Sequence, residues 1–530
     1  MSATIFRCVL AAALTSAWAC AGAADAADAA GKALAQRRID GAIGRIDGMA
    51  AGLMKRTGIP GMAIAVVQGN RIVYARGFGV RAVGSAQRVD ADTVFQLASM
   101  SKPIGASVVA QQVGAGRITW DTPVQKHLPW FALANAYVTE NLTIGDLYAH
   151  RSGLPDHAGD TLEELGYPQG EILRRLKQLP LTPFRNSYAY TNYGMTGAAM
   201  AVAAAAGTDW ASLSDQVLYR PLGMASTSSR FADFQARANR ALGHVKENGV
   251  FVIGPERGSA AGQQHWAAYN TDPQSPSGGV SSSANDIARW MSFLLAGGAG
   301  PNGPLVPPAA LLPAMTPKST IREASALGQR SSYYGYGFSV DTSEAGRTVL
   351  SHNGAFSWGA STNFALMPSA NVGMVVLTNA WPTGIAEALV AQFNDLVQYG
   401  AVRQDWFALY APAFAAAFKP QGELAGKAPP AQPAPAQALQ TYTGFYRNDY
   451  HGTLQVLRSE QGGLELRMGA APQLVFPLRH WDGDTFSFVP LNDSAPPGSL
   501  SKAQFSEGKL TLEHYNHQGL GVFERAAASP

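Results

Sequence analysis

Phe95-Gln96-Leu97-Ala98-Ser99-Met100-Ser101-Lys102-Pro103 decides how this chain is read. The first residues suit a β-strand, and the apolar stretch Ile104 to Val113 predicts a helix that begins near Ser99. Residues three apart on a helix share a face, so Ser99 and Lys102 are placed together at its first turn. A serine hydroxyl is a weak nucleophile until a neighbour takes its proton. A lysine does so only if burial and its neighbours lower its pKa. The helix dipole favours the negative charge that develops at the start. Taken alone, Ser-x-x-Lys arises about once by chance in a chain of this length. A second copy, Ser499-Leu500-Ser501-Lys502, indeed follows Pro496-Pro497-Gly498 with no helix after it, and reads as a surface loop.

Further segments lift the first copy above chance. Tyr190-Thr191-Asn192 precedes the apolar helical stretch Met195 to Ala206. Tyr190 there can share the proton with Lys102, and Asn192 can hold a substrate amide. His352-Asn353-Gly354 ends the strand-like run Thr348 to His352, with Ala355 next. A hydrogen-bonding residue at a strand edge followed by glycine lets substrate backbone lie close by, which makes His352 and Gly354 substrate-binding candidates. The amides of Ser99 and Ala355 then form an oxyanion hole. Plainer alternatives are Ser99 as a helix cap, Tyr190 as a core tyrosine and His352 as a structural histidine. Trp120, Trp130 and Trp290 read as core, and Phe356 and Trp358 either line an acyl pocket or pack. Tyr446-Arg447-Asn448 and His517-Gln518-Gly519 repeat the motifs within the tail, but out of order.

The surrounding text supplies two domains. A helix is predicted over Ile39 to Met54, and strands over Met62 to Val67 and Ile72 to Phe78 flank a Gly69-Asn70 hairpin. Helical stretches, including Ala284 to Leu295, dominate from Ser99 to Leu295. Strands return at Tyr336 to Val340, Thr348 to His352, Asn363 to Leu366 and Val372 to Leu377, before a helix at Gly384 to Val397. Strand, helical insert, strand predicts one sheet completed by both ends of the domain, residues 24–418. Residues 419–438, rich in proline and alanine, read as a linker. Residues 439–527 read as all-β, with strands at Thr453 to Leu457, Leu464 to Met468, Leu474 to Phe476, Thr485 to Val489 and Lys509 to Tyr515.

Bulk properties narrow the function. Of 530 residues, 46% are apolar and 15% charged, with a formal net charge of +3. No block of like charges argues for nucleic acid or an anionic membrane as the partner. Arg7 followed by the apolar run Cys8 to Ala19 and small residues predicts an export signal, residues 1–23, and a periplasmic or secreted protein. Cys20 as a lipidation site is the alternative. The only two cysteines, Cys8 and Cys20, give the mature chain no disulfide framework or thiol nucleophile. The ten histidines include no His-x-x-x-His pair on a helix, and no metal is read from them.

Five segments in order resemble the serine hydrolases related to class C β-lactamases, DD-peptidases, D-amino-acid amidases and certain esterases. They are Ser99-Met100-Ser101-Lys102, His150-Arg151-Ser152-Gly153-Leu154-Pro155, Tyr190-Thr191-Asn192-Tyr193-Gly194, Pro276-Ser277-Gly278-Gly279-Val280 with Asp286, and His352-Asn353-Gly354. The tail resembles small lipocalin-like β domains. The resemblance implies an α/β (α+β) fold: a β-lactamase/penicillin-binding-protein-like antiparallel sheet with flanking helices and a helical subdomain, plus a C-terminal barrel-like β domain. It implies an acyl-enzyme on Ser99, Lys102 and Tyr190 as proton carriers, His150 and Ser152 in support, no metal and no cofactor. The substrates it implies are small esters, amides or peptides. A penicillin- or peptide-binding sensor with negligible turnover, or a true β-lactamase, are the alternatives. Arg151 stands where the family has Thr. His352 stands where β-lactamases of this kind present Lys to the antibiotic's carboxylate, which puts β-lactam hydrolysis in doubt.

Overall fold

The computed structural model describes residues 32–254, 270–470, 473–490, 495–496 and 498–526. The stretch read as an export signal, residues 1–23, and both cysteines lie outside them. Within the first domain, eight strands form one sheet: β1 (Gly61–Gln68), β2 (Arg71–Gly79), β3 (Ser319–Arg322), β4 (Ser332–Tyr334), β5 (Ser339–Thr342), β6 (Thr348–Phe356), β7 (Ala360–Met367) and β8 (Val372–Thr378), in the order β2-β1-β8-β7-β6-β5-β4-β3. The antiparallel pairing Met62↔Thr378 through Gln68↔Val372 joins the two ends of the domain, as the order of elements predicts.

Every residue of β1 from Gly61 to Val67 is buried, because both faces of the sheet are covered. Ala63, Ala65 and Val67 pack toward the helical region, while Met62, Ile64 and Val66 pack toward the terminal helices. This is the two-residue period of a strand read against two cores. The terminal helices are α1 (Ile46–Thr57) and α5 (Ile385–Tyr399), followed by α6 (Trp406–Ala417). The helical region is centred on α2 (Ser101–Gly114), α3 (Asn192–Ala206) and α4 (Ala284–Leu295). Small residues dominate α2 and α3 because both are almost wholly enclosed. Trp290 is fully buried and donates from Nε1 to Ser107 Oγ (3.0 Å), whereas Trp130 is 37% exposed beneath Arg174 and is not core.

Several elements differ from their sequence reading. The helix over Ile39 to Met54 is interrupted at residues 44–45, where Arg45 N–H turns back to Ala42 O (3.2 Å). The strand over Tyr336 to Val340 is instead the pair β4 and β5, separated by a turn that brings Gly337 against Lys102. A methyl on Gly337 would lie 2.8 Å from Lys102 O. Most consequential, β6 does not stop at His352 but runs to Phe356, pairing Phe356↔Ala360. His352, Gly354 and Ala355 therefore lie inside a sheet strand rather than at its end.

The second domain is a closed barrel of eight antiparallel strands, β9 (Gly444–Asn448), β10 (Gly452–Arg458), β11 (Leu464–Met468), β12 (Leu474–Asp482), β13 (Thr485–Phe488), β14 (Ser501–Ser506), β15 (Lys509–Leu512) and β16 (Val522–Ala526). The first, sixth and last were not evident in the sequence. The segment Ser499 to Lys502 is not a surface loop: Ser499 and Ser501 are buried, and Ser501 opens β14. Ser499 Oγ donates to Pro496 O (2.6 Å), and Lys502 Nζ pairs with Glu423 (2.7 Å). This serine and lysine serve separate partners. Among the described residues no helix is long and apolar enough to cross a membrane.

Candidate active site

The segment leading to Ser99 is fixed from both sides. Phe95 and Gln96 pair with Ser282 and Ser281, and Leu97 N–H bonds to Val280 O (2.9 Å). Ala98 then takes φ 48°, a left-handed conformation costing a side-chain-bearing residue ~1–2 kcal/mol. A 3₁₀ turn over Ala98–Met100 follows, and α2 begins at Ser101. Ser101 Oγ donates to Ala98 O (2.7 Å) and accepts from Val280 N–H (3.0 Å), locking the turn. As a result Ser99 stays partly exposed while Leu97, Ala98, Met100, Ser101 and Lys102 are buried.

Lys102 Nζ faces three oxygens: Ser99 Oγ at 3.1 Å, Asn192 Oδ1 at 2.8 Å and Ser277 O at 3.0 Å. Three acceptors suit an ammonium, but complete burial opposes the charge more strongly. Burial brings the lysine down to about 7, with the Asp160 carboxylate pulling the other way. Lys102 Nζ also lies 4.4 Å from the centre of the Tyr190 ring. Burial holds the Tyr190 phenol well above its usual value, partly offset by the Ser99 hydroxyl beside it. The resting tyrosine is therefore a neutral phenol, and the lysine is the group that changes charge near neutrality.

The remaining expected residues divide by what they touch. Asn192 is half-buried, and both ends of its amide have partners inside the protein. Its Oδ1 is taken by Lys102, and its Nδ2 donates to Asp160 Oδ2 (3.1 Å). His352 is 5% exposed, with Nδ1 2.6 Å from Asn353 O and Nε2 2.8 Å from the Tyr334 hydroxyl. Nδ1 must donate to the carbonyl, so Nε2 accepts from Tyr334. Burial, then the nearby Lys102, holds this imidazole neutral, down to about 3. Both nitrogens thus have partners within the protein in this structure. His150 is buried and neutral, and its Nδ1 accepts from Thr191 N–H (3.2 Å), steadying the Tyr190 segment. Ser152 Oγ accepts from Leu154 N–H (3.3 Å), within its own turn. Arg151 pairs with buried Asp146 (2.8 Å).

Gly354 brings β6 beside the nucleophile. A methyl there would lie 2.1 Å from Leu97 O, 2.6 Å from Thr362 Oγ1 and 3.0 Å from Ser99 N. Only glycine permits this approach, and it sets Ala355 next to the Ser99 turn. Gly354→Ala is expected to push the strand off the turn and lower kcat/KM by ~10²-fold, the scale of a misplacement near 1 Å. Stability should fall by ~1–3 kcal/mol. Steady-state kinetics and a melting curve check both. Phe356 and Trp358 stack at 3.9 Å and pack on Ala98 and Ala360, beside the same turn.

The sequence assigns no role to three participants, although Ser277 lies in one of the quoted segments. Ser277 contributes a main-chain carbonyl, which no side-chain pattern reports. Tyr334 and Asp160 lie in stretches without a motif, and only the fold brings them to His352 and Asn192.

Comparison with known proteins bears on the family of the chain. The Beta-lactamase family model matches residues 46–397, and a domain of unknown function, DUF3471, matches residues 428–518. Unguisins hydrolase ungD of Aspergillus violaceofuscus is 25% identical over 489 residues, covering 81% of this chain and 80% of that protein. Esterase EstB of Burkholderia gladioli is 27% identical, covering 67% and 94%. The octameric penicillin-binding protein homologue from Pyrococcus abyssi superposes with a TM-score of 0.57 at 18% identity, covering 89% of this chain and 98% of that one. With the family model spanning well over half its length, the chain belongs to the Beta-lactamase family of serine hydrolases.

Proposed function

We propose that this protein is an exported hydrolase that cleaves small esters or uncharged amides and peptides through an acyl-enzyme on Ser99. The observation that carries the reading is the Lys102 amine, buried, 3.1 Å from Ser99 Oγ and titrating at about 7. In its neutral form Lys102 takes the Ser99 proton as Oγ attacks the carbonyl carbon. The amides of Ser99 and Ala355 receive the oxyanion, and Tyr190, a phenol at rest, gives its proton to the leaving group and is reprotonated by the Lys102 ammonium. Water then attacks the ester and regenerates Ser99.

The neutral, internally bonded His352 favours substrates without a carboxylate at that position. The penicillin-binding sensor and true β-lactamase readings lack this support, since β-lactams carry such a carboxylate; a peptide-binding sensor differs from the proposal in its turnover. Purified protein assayed on p-nitrophenyl butyrate, a peptide amide starting with a D-residue, a peptide ending in D-Ala-D-Ala and a chromogenic cephalosporin tests the choice. The first two are expected to turn over at least tenfold faster than the last two. Faster cephalosporin cleavage, or acylation without turnover, would overturn it.

A further inference from the structure

The barrel and the lysine are joined through the short segment Gly159–Glu164. Tyr450, in the turn between β9 and β10, is 3% exposed and sits in the hydrolase core rather than its own. Its hydroxyl accepts from Gly159 N–H at 3.1 Å. The turn itself is rigid: Asn448 Oδ1 accepts from the N–H groups of Tyr450 (2.9 Å) and His451 (2.7 Å). From the hydrolase side, Arg175 donates to Tyr450 O (2.7 Å) and Tyr167 to His451 O (2.8 Å). Gly159 has φ 93°, and a methyl there would meet the Tyr193 ring at 2.9 Å, so this segment has little room to shift.

The next residue is Asp160, whose carboxylate faces Asn192 Nδ2 at 3.1 Å. A carboxylate only accepts, so it obliges Asn192 to turn its NH₂ toward Asp160 and its carbonyl toward Lys102. We propose that Asp160 is a positioning residue that orients Asn192 on Lys102, and that the C-terminal barrel holds Asp160 in place through Tyr450. This rests on Lys102 as the proton acceptor for Ser99, and it gives the barrel a role in the chemistry of the first domain.

The charges around the lysine support the assignment. His150 and His352 are kept neutral by burial, and Tyr190 is a phenol. Glu163, behind Asp160, is pushed well up by burial. His157, bonded to Asp160 at 2.8 Å and raised to about 9, is a cation on the far side of that carboxylate. Asp160 is the carboxylate whose field reaches Lys102 and favours its ammonium. Removing that charge, and releasing Asn192 to present its NH₂, both disfavour the ammonium.

Lysine side-chain NMR on the full chain tests this without depending on turnover, with the Lys102 signal identified by its loss in Lys102→Arg. Asp160→Asn is expected to lower the Lys102 midpoint by ~0.5–1 pH unit. The acid limb of kcat/KM should follow, and kcat should drop about tenfold with KM little changed. Asp160→Glu should restore most of the midpoint. Tyr450→Phe, which keeps the packing, should move it in the same direction by less. An unmoved midpoint in folded Asp160→Asn would overturn the positioning role, and one unmoved in Tyr450→Phe would overturn the barrel's part. Hydrolysis that persists in Ser99→Ala would instead mark failure of the acyl-enzyme reading.

Discussion

Replacing Ser99 with alanine is expected to lower hydrolysis of a p-nitrophenyl ester by ~10⁴-fold or more, the scale seen when a nucleophile acting within a concerted set is removed. Lys102, Tyr190 and the Ser99 amide would all remain, but no oxygen would be left to carry the acyl group. Ser99 is partly exposed and its hydroxyl is one of three acceptors around Lys102. The lysine keeps Asn192 and Ser277 in the variant, so stability should change by about 0.5 kcal/mol at most. Loss of activity with an unchanged melting curve separates chemistry from folding. The ester assay, with circular dichroism on the same preparation, reads both.

Lys102→Ala is expected to lower kcat/KM by ~10²–10⁴-fold, the range for a general base. It should also change the shape of the pH profile, which a structural lysine would not do. In the wild type the base is competent only without its proton. Below about 7 it is an ammonium that cannot accept from Ser99; above about 7 it is an amine that can. Activity should therefore rise with pH through about 7 and level off above it. Tyr190 cannot substitute as the resting base, because burial holds its phenol well above its usual value. The rise near 7 should vanish in Lys102→Ala, leaving a weak, flatter profile. A profile unchanged in position would assign the titration to another group.

Much of this arrangement was legible before any coordinates. Ser99 and Lys102 are three residues apart, so local helix geometry alone brings them together. The order of strand, helical insert and strand announces one sheet completed by both ends of the domain, and β1 does pair with β8. What was not legible depends on long-range packing. The end of β6 was missed because His352 and Asn353 interrupt an apolar run; the strand continues because Gly354 can pass against Leu97 and Thr362 can donate to Leu97 O (2.8 Å). The sequence reads Asn192 as a substrate ligand because its segment is polar beside a helix, but shows nothing of its partners inside the protein. Its direction is set by Asp160, 32 residues earlier in the chain. Tyr334, the partner of the second nitrogen of His352, is 18 residues earlier in the chain and is likewise brought there by the fold. The tail's Ser499 and Lys502 show the converse, a motif whose two members the barrel sends to different partners.

The central claim is that the reaction passes through an ester on Ser99, and mass spectrometry tests it most directly. Wild-type protein and Ser99→Ala would each be mixed with p-nitrophenyl butyrate, quenched in acid during the first turnovers and digested. The account predicts one butyryl group on the peptide containing Ser99 in the wild type and none in the variant. A butyryl group on another residue, or turnover with no covalent adduct while the variant keeps the wild-type rate, would contradict it.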